Sequence, residues 1–160
     1  MKPHSFCTCW PGATVWLTGP PGAGKTTIAR ALAERLRERG RRVEVLDGDA
    51  TRALLTAGSS WEDRGTGLQR VGLMAEVLAR NGIVVLVPVT AARADSREAV
   101  RRRHERSGTA HLEVRVVRDA VPPSGLPAPP GPDLRIAAHE QSAEESARAL
   151  HRLLAERELA

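Results

Sequence analysis

Gly19-Pro20-Pro21-Gly22-Ala23-Gly24-Lys25-Thr26 fits the pattern G-x-x-x-x-G-K-[ST] and stands between two different kinds of sequence. Before it, Thr14 to Leu17 is a short apolar run that reads as a buried strand. After it, Ile28, Leu32 and Leu36 recur at helical spacing until Gly40, a natural stop. Glycines let backbone N–H groups converge on phosphate oxygens, and a helix opening near Lys25 adds its positive end and its unpaired N–H groups. A glycine turn serving only to join strand to helix would not need a lysine followed by a hydroxyl. The stretch is therefore predicted to cradle the phosphates of ATP or GTP, using Gly19, Gly22, Ala23, Gly24, Lys25, Thr26 and Thr27. Lys25 is expected on the β and γ phosphates and the Thr26 hydroxyl on Mg²⁺.

Outward from this loop the chain keeps alternating. Strands are predicted at Val43 to Leu46, Ile83 to Val89, Leu112 to Val117 and Leu134 to Ala137. Ile83 to Val89 is the most apolar segment, as a central parallel strand covered on both faces should be. Helices are expected from about Arg52 (short), from Thr66 to Arg80 closed by Asn81-Gly82, from Ser96 to Ser107, and after Ser142, where Ser142 and Glu145 form a capping box. A loop is read around Gly58 to Trp61, and six prolines mark a connection between Pro122 and Pro132. Alternation of this kind predicts an α/β class, a three-layer P-loop NTPase fold with a parallel sheet flanked by helices. Residues 1–12 read as an N-terminal tail and 13–160 as one domain.

Composition narrows the partners. The chain has 160 residues, 24 Lys plus Arg against 19 Asp plus Glu, and a net charge of +5, which favours anionic ligands. Its only lysines are Lys2 and Lys25, so the lone internal lysine carries more information than the many arginines. No apolar run approaches the ~20 residues of a membrane span, and no signal-peptide core precedes a cleavage site, so a cytoplasmic protein is expected. Cys7 and Cys9 are too few and too close for a disulfide framework, and with His4 they make a poor zinc set on a short tail.

A phosphate cradle does not specify a reaction. At this length a small-molecule kinase is the leading class, and phosphoryl transfer then needs an acid. The strand Ile83 to Val89 ends in Thr90-Ala91-Ala92, without a carboxylate. Asp47 and Asp49, two residues apart after the second strand, would point to one side at the sheet's C-terminal edge, where open α/β sheets bind ligands. One is expected to accept the proton of the attacking hydroxyl and the other to order water around Mg²⁺. A solvated Asp-Gly-Asp turn is the plain alternative.

At this point the sequence resembles the adenylylsulfate (APS) kinases, P-loop enzymes that phosphorylate the ribose 3′-hydroxyl of APS. The shared residues are Trp16-Leu17-Thr18-Gly19 running into the loop, Leu46-Asp47-Gly48-Asp49 followed by Arg52, then Gly58, Ser60, Asp63-Arg64, Arg70 and Gly72. The resemblance implies that Asp49 lies near the metal and the acceptor hydroxyl, and that Arg52 and Arg64 hold the acceptor's anionic group. Thr90 keeps a hydroxyl where the family has serine. Departures fall on the acceptor side: Ser59 replaces a stacking phenylalanine, Gly67 replaces an asparagine, and the long lid segment has no counterpart between Val117 and Pro132 beyond Arg118-Asp119. Base stacking on an aromatic contributes about 1 to 3 kcal/mol. The expectation is therefore a kinase for a hydroxyl of a small anionic metabolite other than APS, catalysed by Lys25, Asp47 and Asp49, with Arg52, Arg64 and Thr90 on substrate and Thr26 and Asp49 on Mg²⁺. Genuine adenylylsulfate kinase is the alternative.

Two readings come from other classes. Arg97, Arg101, Arg102, Arg103 and Arg106 crowd one predicted helix, as in a nucleic-acid binder. Only Arg97 and Arg101 are read as sharing a face, with the other three spread around the cylinder and no aromatic among them, so a solvated helix is preferred. A non-catalytic nucleotide-binding protein is disfavoured by Lys25, Thr26, Asp47 and Asp49 occurring together. The expected partner is a small-molecule acceptor, with a homodimer allowed and neither nucleic acid nor membrane.

Overall fold

Ala13–Gly19 forms strand β1 at the centre of the computed structural model, which describes residues 10–47, 63–90, 94–118 and 132–160. Strands β2 (Val43–Val45), β3 (Val84–Thr90), β4 (Ala110–Val117) and β5 (Leu134–Ala137) complete a five-stranded sheet in the order β2-β3-β1-β4-β5. Every pairing is parallel. Helices α1 (Lys25–Glu38), α2 (Asp63–Arg80), α3 (Ala94–Ser107) and α4 (Ala143–Glu156) are the four described, and they cover both faces. The predicted three-layer α/β architecture is thus the observed one.

Alternation along the strands assigns each helix to its layer. Ala13, Val15 and Leu17 of β1 join Val84 and Leu86 of β3 in a core closed by Ile28, Leu32 and Leu36 of α1 and Leu150 and Leu154 of α4. Trp16 faces the other way, with Val85, Val87 and Val89, against Leu68, Val71 and Ala75 of α2 and Val100 of α3. Both faces of β3 are covered, which is why its run is continuously apolar. The predicted box at α4 is present: Ser142 Oγ accepts from the Glu145 N–H at 3.2 Å, and Glu145 Oε2 accepts from the Ser142 N–H at 2.7 Å.

Element ends move by a few residues. The helix expected from Thr66 begins at Asp63, because packing of Leu68 and Val71 on the sheet overrides the poor propensity of Gly65 and Gly67. The third helix starts at Ala94 rather than Ser96, and β4 at Ala110 rather than Leu112. The β3 strand runs from Val84 to Thr90, one residue later than expected. The short helix near Arg52, the loop at Gly58 to Trp61, most of the proline-rich connection and the His4, Cys7 and Cys9 group lie outside the described residues.

The arginine-rich helix differs from its reading. Arg102 and Arg106 are also four residues apart, and with Arg103 and Arg80 they line a groove of about 640 Å³ between α2 and α3, so they are not dispersed. Acids occupy several of these cations: Arg97 pairs with Glu113 at 2.7 Å, Arg102 with Glu98 at 2.8 Å and Arg80 with Glu76 at 2.9 Å. His104, in the same run, is fully buried, its Nδ1 against Val100 O and its Nε2 against Thr14 Oγ1.

Candidate active site

The glycine loop leaves β1 at the C-terminal edge of the sheet, where strand order reverses around β1 and β3, the position at which open α/β sheets bind ligands. Gly22 and Gly24 hold φ of 73° and 89°, a backbone region costly for residues with a Cβ. Ala23 N–H closes a turn on Pro20 O at 3.2 Å, and the first helical bond runs from Ile28 N–H to Gly24 O at 3.0 Å. The N–H groups of Lys25, Thr26 and Thr27 therefore precede the helix's own bonding pattern and are available to an anion.

Lys25 sits at the start of α1 with only 7% exposure. Its ammonium donates to Gly19 O at 2.9 Å and Pro20 O at 2.7 Å. Burial pushes its pKa below the usual lysine value, so the site disfavours an isolated cation and rewards an anionic partner. Thr26, half-buried on the first turn, offers a hydroxyl oxygen of the kind Mg²⁺ takes, with phosphate oxygens and water supplying the rest of such a shell. Thr27 is exposed.

Other predicted residues are placed unequally. Thr90, exposed at the end of β3, is in register with Gly19, so its position flanks the first residue of the loop. Asp47 follows β2 on the same sheet edge, and its Oδ2 accepts from Arg30 of α1 at 2.8 Å. Arg64 falls in the first turn of α2, and its side chain lies outside what the structure describes, as do Asp49 and Arg52 entirely. The structure thus brings the loop, Thr90 and Asp47 to one edge. Arg30 escaped the sequence reading because nothing separates it from the other arginines of α1 until β2 is placed beside it. Arg118 is a second such residue: it donates from Nη1 to Gly22 O at 3.1 Å.

A family model described as adenylylsulphate kinase matches residues 11–121. The adenylyl-sulfate kinase of Rippkaea orientalis is 51% identical over 92 residues, covering 56% of this chain and 51% of that protein. A probable adenylyl-sulfate kinase of Pseudomonas aeruginosa is 39% identical over 164 residues, covering 89% of this chain and 77% of that protein. The solved Mycobacterium tuberculosis APS kinase CysC in complex with AMPPNP and APS superposes with a TM-score of 0.80 at 31% identity, covering 91% of this chain and 98% of that one. The chain spans about half the length of several curated relatives it matches. The expectation of an acceptor other than APS finds no support among these relatives, whose names favour the alternative reading. On the combined weight of the glycine loop, the sheet order and these matches, the chain belongs to the adenylylsulphate kinase family.

Proposed function

We propose that this chain is an ATP-dependent kinase whose acceptor is the ribose hydroxyl of adenylyl sulfate. The observation that carries the reading is the buried Lys25 ammonium held at a positive-φ glycine loop on the C-terminal edge of the sheet, within the segment matched by the family model. Family membership supports the acceptor, and the loop geometry supports the donor.

In this reading the acceptor oxygen attacks the γ phosphorus, the bond between that phosphorus and the β,γ-bridging oxygen breaks, and ADP departs. Asp49 takes the hydroxyl proton. Asp47, already engaged by Arg30, shapes the same edge without serving as the base. Lys25 and the N–H groups opening α1 meet the charge on the phosphates as it shifts toward the leaving oxygen. Mg²⁺, held through Thr26 and Asp49, would neutralise the β and γ oxygens. Arg52 and Arg64 hold the anionic part of the acceptor, and Thr90 contributes a hydroxyl beside the loop.

The nucleic-acid reading is weakened by ion pairs on α3 that engage Arg97, Arg101 and Arg102, three of the five cations that prompted it. Among the described residues no helix is long and apolar enough to cross a membrane. The test is a coupled assay of the purified chain with ATP, Mg²⁺ and APS. ATP-dependent formation of ADP and the 3′-phosphorylated product supports the reading. Turnover of another hydroxylated anion with none of APS would overturn the acceptor, and failure to bind ATP would overturn the donor.

A further inference from the structure

Arg118 directly follows the last residue of β4, the strand beside β1, and its guanidinium crosses to the loop that β1 feeds. Its Nη1 donates to Gly22 O at 3.1 Å, a bond between residues 96 apart in sequence. Gly22 is exposed, near the tip of the loop, and sits at a φ of 73°. Two cations therefore address the backbone carbonyls of one loop: Lys25 on Gly19 and Pro20, and Arg118 on Gly22. Nothing in the phosphate-cradle pattern requires the second.

We propose that Arg118 is a nucleotide-positioning residue, bracing the loop through Gly22 and adding a second positive charge beside Lys25. The inference rests on the ATP-binding reading above. A backbone cradle binds phosphate only while its N–H groups converge, and a glycine-rich tip loses that convergence easily because glycine has the widest backbone freedom. A donor anchored on a neighbouring strand restrains the tip before the ligand arrives, lowering the ordering cost of binding. Arginine suits the task because one arm of its planar fork can hold a carbonyl while the remaining N–H groups stay available. Its charge also raises the local potential for a polyphosphate.

Equilibrium binding of ATP, ADP and AMP to the full chain tests this, with R118A and R118K beside the unsubstituted protein. R118A is expected to weaken ATP and ADP about tenfold while leaving AMP within twofold, since the loop wraps the phosphates beyond the first. R118K, which keeps the charge, should recover part of that loss. In turnover the ATP KM should rise in R118A with kcat little changed, a split that general destabilisation would not produce. ATP binding by R118A within twofold of the unsubstituted chain would overturn the proposal, as would equal weakening of AMP, which would mark a base contact instead. If the unsubstituted chain itself bound no ATP, the functional reading would fail first, and the two failures are thereby separable.

Discussion

Replacing Gly72 with alanine should destabilise the fold by about 1 kcal/mol even though alanine is the better helix former. Gly72 lies on α2 where it crosses α3, and a Cβ there would stand 2.5 Å from Val100 Cγ2, 2.9 Å from Cγ1 and 3.2 Å from Cβ. Val100 is 2% exposed, and a β-branched residue in a helix has essentially one χ1 rotamer. Rotating it trades one methyl clash for another and leaves the Cβ contact, so the helices must separate. Overpacking of this kind costs about 1–3 kcal/mol, while glycine-to-alanine propensity returns about 1 kcal/mol. A net loss near 1 kcal/mol should lower Tm by about 2–4 °C in a chain of this size. The assay is thermal and urea unfolding of G72A, V100A and the double variant. Val100→Ala removes both offending methyls, so the double variant should be more stable than the two single losses added together, with a coupling of about 1–2 kcal/mol. Strict additivity, or a G72A protein as stable as the parent, would falsify the close-approach account.

Lys25→Met should reduce turnover by at least about 10²-fold through loss of a positioned cation, yet leave Tm unchanged or higher, because burial disfavours that charge; a kinetic assay paired with a melting curve checks both. Acid should destabilise the sheet face under α3. Burial first, then His104 and Arg101 nearby, depress the His111 pKa from 6.5 to about 3, and burial depresses His104 as well. The unfolded chain therefore binds more protons than the folded one below about pH 6.5, so stability is complete above that pH and falls by up to about 1.4 kcal/mol per pH unit through His111 toward pH 3, with His104 adding a loss in the same direction. The slope of unfolding free energy between pH 6.5 and 4.5 should drop by about one proton in His111→Phe, and an unchanged slope counts against the assignment. Ser142→Ala removes the acceptor for the Glu145 N–H and should cost about 1 kcal/mol, read as a lowered urea midpoint at constant m-value.

Residues near one another in sequence were the legible ones. The cradle from Gly19 to Thr27 could be read because its glycines, lysine and hydroxyl act within a single turn, and the α4 box because Ser142 and Glu145 satisfy each other across three residues. The two-sided core was legible for the same reason: the unbroken apolar run from Ile83 to Val89 marks a strand covered on both faces. The pairing of Asp47 with Arg30 was not legible, nor was the bond from Arg118 to Gly22, the His104 contact with Thr14 or the gathering of Arg80 with Arg103 and Arg106. Each depends on which strands lie side by side and which helices share a face. On its own, the sequence determined that a glycine-rich loop of the phosphate-cradle pattern joins a buried strand to a helix in a parallel α/β sheet. Only the tertiary structure decided which of many chemically identical arginines stands at that loop, because side-chain identity sets what a residue can do while strand order and register set what it touches.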